Sequence, residues 1–290
     1  MKEQFITRRI SLGTTQLIAA ANTIISEYYE RGYILTVRQV YYQFVARDLI
    51  PNEEKWYKRI VNVLNIGRLL GLLDWSAVED RTRSVREPST WDSVQQIVLS
   101  ARQSYAVDRW STQSYRIEVW VEKDALVGIV ADACREPQVP YFSCRGYASQ
   151  SSLYRASKRL KYHMSQDQMP IILHLGDHDP SGIDMTRDIQ DRLSMFTHEN
   201  IIVRRIALNM QQIAKYKPPP NPAKLTDTRA KEYVNNWGYE CWELDALDPE
   251  VMTTLIQESI DMYCNKDLWE IRIQDENEGR ERLQEIADEL

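Results

Sequence analysis

The sequence predicts an α/β fold: a mostly helical N-terminal part, then a parallel-sheet domain, then two closing helices. Three observations predict it. From Tyr115 onward, short apolar, β-branched runs alternate with helical stretches at the spacing of βαβ units. The first ~90 residues instead carry helical periodicity with one short strand-like run. A chain of 290 residues is long enough for about two domains, each with its own core.

The elements follow in order. Thr14 to Glu30 places Leu17, Ala20, Ala21, Ile24, Ile25 and Tyr28 on one helix face and stops at Gly32. Tyr33-Ile34-Leu35 is a short β-like run. Thr36 is an N-cap signal for a second helix reaching about Arg47, ended by Pro51-Asn52. A third helix runs from about Glu53 to Gly71, and residues 72–85 read as a hairpin wing. Helix, short strand, helix, helix, wing is the element order of a winged helix, whose third helix usually enters a DNA groove. Lys55, Arg59 and Asn62 share one face of that helix with Lys58 beside them, while Ile60, Leu64 and Gly67 line the other. The expected domains are 1–90 (winged helix), 91–114 (linker helix), 115–248 (parallel sheet) and 249–290 (acidic helices).

Within the sheet domain the strands are RIEVWVE (116–122), VPYFSC (139–144), MPIILHLGD (169–177) and IIVRRIAL (201–208). Helices near 125–135, 151–164 and 184–196 separate them, and two more close the chain near 249–264 and 276–289. Lys215 to Pro222 is a Pro-rich break.

The net charge of -6 argues mildly against a nucleic-acid partner until it is divided. Residues 240–290 hold 16 acidic and 4 basic side chains, a net of -12, which leaves +6 for residues 1–239. The acidic end reads as solvated helix faces, or as a guard over a basic groove. Four cysteines without metal-ligand spacing fit a reduced, cytoplasmic protein. No apolar run approaches the roughly 18 residues of a membrane span, so no membrane partner is expected.

The strongest chemical signal is HLGDHDPSG (174–182), in which a buried-type strand runs into Asp177, His178 and Asp179. Open α/β sheets bind ligands at the carboxyl ends of their strands. Two carboxylates spaced two apart there can reach one hard cation. His178, between them on an alternating segment, should point the other way. RIEVWVE ends likewise in Glu122-Lys123-Asp124, so both clusters lie on one sheet edge. Glu243 and Asp245 of CWELDAL read as caps of the next element, with metal ligation the alternative. In TVRQVYYQFVARD (36–48) the apolar stripe Val37, Val40, Tyr41, Phe44 and Val45 makes Tyr41 a core residue. Tyr42 is turned about 100° away, with Arg38 one helical turn before it on the same side. It reads as a surface tyrosine.

A winged helix carrying R-x-x-x-Y, followed by WVEKDAL and GDHDPSG, resembles the A subunit of type IIB topoisomerase and the meiotic double-strand-break transesterase, over roughly residues 15–210. The resemblance implies a TOPRIM-type sheet domain and Mg²⁺-dependent DNA cleavage, with Mn²⁺ able to substitute. By position, Tyr42 corresponds to the nucleophile, Arg38 to its supporting arginine, and Glu122, Asp177 and Asp179 to the metal-binding acids. SCRGYASQSS (143–152) lies at the family's Gly-containing turn but lacks the Pro-Asp and Thr-Arg that follow it there. Lys55, Lys58, Arg59, Lys123 and Arg145 are the expected phosphate contacts. The resemblance also implies a homodimer in which one subunit's tyrosine works with the other's metal site. ATP-driven strand passage would need a separate ATPase partner. A hydrolytic Mg²⁺-dependent nuclease and a non-catalytic winged-helix DNA-binding protein are the alternative expectations.

Overall fold

The computed structural model describes residues 2–76, 78–79 and 88–290. The N-terminal part packs three helices: α1 (Leu12–Glu30), α2 (Val37–Ala46) and α3 (Glu54–Leu69), with the two-residue strand β1 (Leu35–Thr36) ahead of α2. Ile24 and Tyr28 of α1 meet Val40 and Phe44 of α2 and Ile60 and Leu64 of α3 in one buried cluster, as the periodicity predicts, while Ile18, outside the expected stripe, is buried with them and Leu17 and Ala20 are only partly buried. Ser11 caps α1, which starts two residues before the expected Thr14. Thr36 and Gln39 form a reciprocal capping box at α2. β1 pairs in parallel with β2 (Val78–Glu79). Of the wing expected over 72–85, positions 77 and 80–85 lie outside the described residues.

After α4 (Val94–Ser104) comes a four-stranded, wholly parallel sheet of order β4-β3-β5-β6. Its strands are β3 (Tyr115–Val121), β4 (Tyr141–Ser143), β5 (Met169–Leu175) and β6 (Ile202–Ala207), joined through α5 (Val127–Arg135), α6 (Gln150–Met164) and α7 (Pro180–Thr197). Burial on both faces explains why β5 reads as one continuous apolar run. Val119, Val121, Ile171 and Leu173 face α5 and the later helix α10 (Pro249–Asp261). Trp120 and Ile172 face Leu153 and Leu160 of α6 and Leu193 of α7.

The remaining chain folds back onto the carboxyl edge of the sheet. It forms α8 (Met210–Tyr216), the antiparallel pair β7 (Asn221–Pro222) and β8 (Glu240–Cys241), and α9 (Ala230–Trp237) between them. The final helix, α11 (Lys266–Asp288), begins ten residues before its expected start near 276. Asn265 caps it, and Trp269 packs edge-on against Trp110, which extends the helix across the Tyr105–Trp110 segment. No described helix is long and apolar enough to cross a membrane.

The helical part is docked onto this edge. Ala246 belongs to the N-terminal core, Asn52 bonds Pro220 and Asn221, and the Tyr28 hydroxyl donates to Asp248. This docking corrects one expectation. Tyr42 is not a surface tyrosine but only 5% exposed, because the turn Leu244–Ala246 packs over α2.

Candidate functional site

The site is built where two distant segments lie side by side. Residues 177–179 follow β5, and His178 forms an antiparallel bridge with Trp242 through reciprocal backbone hydrogen bonds of 2.8 and 3.0 Å. Alternation along such a pair sends neighbouring side chains to opposite sides. His178 turns into a buried aromatic group, its Nδ1 2.8 Å from the Tyr233 hydroxyl and its ring beside Trp237 and Trp242. Burial pushes its pKa down to about 4, as suits a neutral packing residue. The expected orientation of His178 is therefore observed.

On the other side the carboxylates gather. Asp177, Glu243 and Asp245 each offer an oxygen within 4.8 Å of the others, a group that can hold a metal ion. The second pair repeats the two-residue spacing of the first, and the His178–Trp242 bridge sets them together. Glu243 and Asp245 are not the caps expected: Glu243 makes no side-chain cap hydrogen bond to the 244–246 turn, Asp245 lies within it, and Asp248 caps α10. Their role was hidden because their neighbour is over sixty residues away in sequence. An all-oxygen carboxylate set is the donor chemistry of hard divalent cations such as Mg²⁺, Mn²⁺ and Ca²⁺.

Glu122 and Asp179 are not members of that close group. The Glu122 carboxylate accepts the Asp177 backbone amide at 2.9 Å, fixing the turn from which Asp177 projects. Asp179 is the N-cap of α7, accepting from Gly182 N at 2.6 Å and from the Ser181 hydroxyl at 2.9 Å. The Asp177 carboxylate also accepts Leu244 N at 2.8 Å, a third tie between the two segments.

Lys123 is placed differently from its expected role as a surface phosphate contact. Its ammonium is within 2.8 Å of Asp177 and 3.0 Å of Asp245, and it also bonds Glu243. The reason is charge balance, since buried carboxylates require a nearby cation. Burial opposes the ammonium, but Asp245, Asp177 and Glu243 outweigh it and hold its pKa above the ordinary lysine range. Burial, with neighbouring acids adding to it, pushes Asp177 well above the usual carboxylate range although Lys123 opposes this. Glu122 is likewise raised, chiefly by burial.

Arg205 of β6, which the sequence did not single out, braces the same turn. Its guanidinium donates to the carbonyls of Gly176 at 2.8 Å and Asp177 at 2.5 Å, and to Gly182 O at 2.9 Å. Its only sequence signal is a charge inside an apolar strand. Five carboxylates (Glu122, Asp177, Asp179, Glu243, Asp245) therefore meet three cations (Arg38, Lys123, Arg205), a surplus of two negative charges.

Arg38 carries the site across to α2. It lies 2.8 Å from Glu243 and 2.5 Å from Asp245, and its Nη2 is 3.5 Å from the Tyr42 hydroxyl. Burial, with Asp245 and Glu243 adding to it, raises the Tyr42 pKa above the ordinary phenol value, while Arg38 and Lys123 work to lower it. Arg38, Tyr42, Tyr57, Asp179, Lys224 and Glu243 all line one cleft of about 690 Å³ between the helical part and the sheet edge. The other expected phosphate contacts lie at the surface: Lys55 pairs with Glu53, Lys58 with Glu54 and Arg145 with Asp124, while Arg59 stacks over Trp56. Exposed pairs of this kind are weak and exchange readily for other anions.

No protein-family model, curated protein or solved structure matches the chain.

Proposed function

We propose that this chain is a DNA strand-cleaving enzyme that works with Mg²⁺ or Mn²⁺, with Tyr42 supplying the attacking oxygen. One observation carries the reading: Tyr42 and Arg38 line the same cleft as Asp179 and Glu243, and Arg38 bridges the phenol to the acidic group. In this reading residues 1–90 are a winged helix and 115–248 a TOPRIM-type domain. The resemblance of TVRQVYY, WVEKDAL and GDHDPSG to type IIB topoisomerase A subunits and the meiotic transesterase supports it. A parallel sheet with acids at its carboxyl edge is in keeping with it.

The Tyr42 oxygen attacks a backbone phosphorus and the bond to the 3′ oxygen breaks, leaving a 5′-phosphotyrosyl end and a 3′-hydroxyl. The phenol proton passes to a cleft carboxylate, and the departing 3′ oxygen takes up a proton from water. Arg38 offsets the negative charge that develops on the phenol oxygen. Asp177, Glu243 and Asp245 would hold the cation, with Glu122 and Asp179 beside them. When bound, the cation supplies Lewis-acid stabilisation of charge on the phosphate and the leaving oxygen. A homodimer straddling a duplex, each copy cutting one strand, follows from the resemblance.

A second reading keeps the cation site and replaces Tyr42 by water. The near-complete burial of Tyr42 and its raised pKa favour this reading. Incubation with supercoiled plasmid and Mg²⁺ or Mn²⁺, stopped in detergent with or without protease, separates them. Tyrosine attack predicts nicked or linear DNA that carries protein until protease is added, and no product from Tyr42→Phe. Cutting by Tyr42→Phe with bare DNA ends would establish hydrolysis instead.

A further inference from the structure

The geometry points to a second nucleic-acid contact outside the cleft. We propose that the exposed face of α6, with the turn before it, binds single-stranded nucleic acid leaving the cleft. This rests on the nucleic-acid reading above for its ligand class, but not on cleavage.

The sequence of α6 (QSSLYRASKRLKYHM) holds Arg155, Lys158, Arg159 and Lys161 and no acidic residue. Arg159 is engaged by Glu118 through two 3.0 Å bonds. Arg155, Lys158 and Lys161 have no ion-pair partner among the described residues, unlike Lys55, Lys58, Lys123 and Arg145. Three unpaired cations on one 15-residue helix stand out in a chain of net charge -6. α6 buries Leu153, Ala156, Ser157 and Leu160, so the cations and two tyrosines are left on its outer side.

Those tyrosines give the face its second character. Tyr154 is 49% and Tyr162 63% exposed, and the Lys158 ammonium lies 5.1 Å from the Tyr154 ring centroid. Tyr147, 40% exposed, stands in the turn before α6, its hydroxyl 2.6 Å from Asp184 and its ring under the Arg229 guanidinium at 5.3 Å. Tyr147 also reaches the Ser181 carbonyl, and Ser181 lines the cleft. Three tyrosines therefore run from the cleft mouth along a helix about 22 Å long. Cations that track phosphates, interleaved with exposed tyrosines, of which Tyr162 has no cation over its ring among the described residues, are the recognition chemistry of single strands, whose bases are free to stack. A duplex keeps its bases inside and would use the cations alone.

The test is fluorescence anisotropy of the full chain in EDTA, titrated against labelled oligothymidine and a labelled duplex of equal length over a salt series. Arg155→Gln/Lys158→Gln/Lys161→Gln should lower the slope of log affinity against log salt by about 2 for the oligothymidine. Tyr154→Ala and Tyr162→Ala should each weaken oligothymidine binding about five-fold or more and leave duplex binding nearly unchanged, with Tyr162→Phe restoring it. Unchanged affinity and slope in all these variants would overturn the proposal, as would a wild-type chain that ignores oligothymidine. It would also fall if the triple variant changed only self-association on a sizing column, which would assign the face to a second copy. Plasmid cleavage by the same preparations keeps the two ideas apart. Cutting without oligothymidine binding sinks only this one, and binding without cutting sinks only the enzyme.

Discussion

Replacing Lys123 by methionine removes the one ammonium that touches Asp177, Glu243 and Asp245 together. Stripping the partner from buried charge costs about 3–5 kcal/mol. Arg38 still pairs with Glu243 and Asp245, so the loss falls at the low end, about 3 kcal/mol. For a chain of 290 residues that corresponds to a fall in Tm of about 5 °C. The assay is thermal unfolding by circular dichroism in EDTA, repeated with Mg²⁺ or Mn²⁺. The divalent ion should recover most of the loss in Lys123→Met and bind that variant more tightly than the parent, because it no longer competes with the ammonium. A Tm within about 2 °C of wild type in EDTA, with unchanged metal affinity, would refute the reasoning.

Three further outcomes are expected. A Cβ on Gly182 would sit 2.2 Å from the Asp177 carbonyl oxygen, so Gly182→Ala should cost on the order of 2–3 kcal/mol and weaken Mn²⁺ binding measured by calorimetry. Glu276, 1% exposed between Arg109 (3.0 Å) and Arg280 (2.8 Å), anchors α11, and Glu276→Gln should cost about 3 kcal/mol at neutral pH. Burial raises the pKa of Glu276, but Arg109 outweighs it and sets the folded value below the usual 4.5. Its contribution is therefore complete above that value and drains away as pH falls through the folded one, so the Tm gap to Glu276→Gln should close in acid. Finally, Arg38 links Tyr42 to acids of its own chain, so mixing Tyr42→Phe with Asp177→Asn should not restore plasmid cutting. Recovered cutting would show that the tyrosine and acids of different subunits work together.

Much of the fold was legible because it rests on local periodicity. The i, i+3, i+4 stripes of α1 to α3 and the apolar runs of β3, β5 and β6 bury most of the residues they single out, the exceptions being Met169 and Ile202 at strand starts and the partly buried Leu17, Ala20 and Val37. Asp177 was legible for a related reason, since a strand end fixes where its last side chains stand. The partners that complete the group were not. Glu243 and Asp245 reach Asp177 only through the His178–Trp242 bridge, a long-range pairing that leaves no periodic trace. Tyr42 is off the apolar stripe of α2, so periodicity assigns it to solvent. It is buried instead by the docked Leu244–Ala246 turn. Lys123 follows the same rule: its sequence neighbours place it at a sheet edge, but three distant carboxylates decide where its ammonium goes.

The most direct measurement of the central claim is mass spectrometry of the chain after incubation with a short DNA duplex and Mn²⁺, denatured and digested. The account predicts a peptide containing Tyr42 that carries a 5′-linked nucleotide, matched by a 3′-hydroxyl on the released strand and absent from Tyr42→Phe. Cleaved DNA with an unmodified Tyr42 peptide would contradict it.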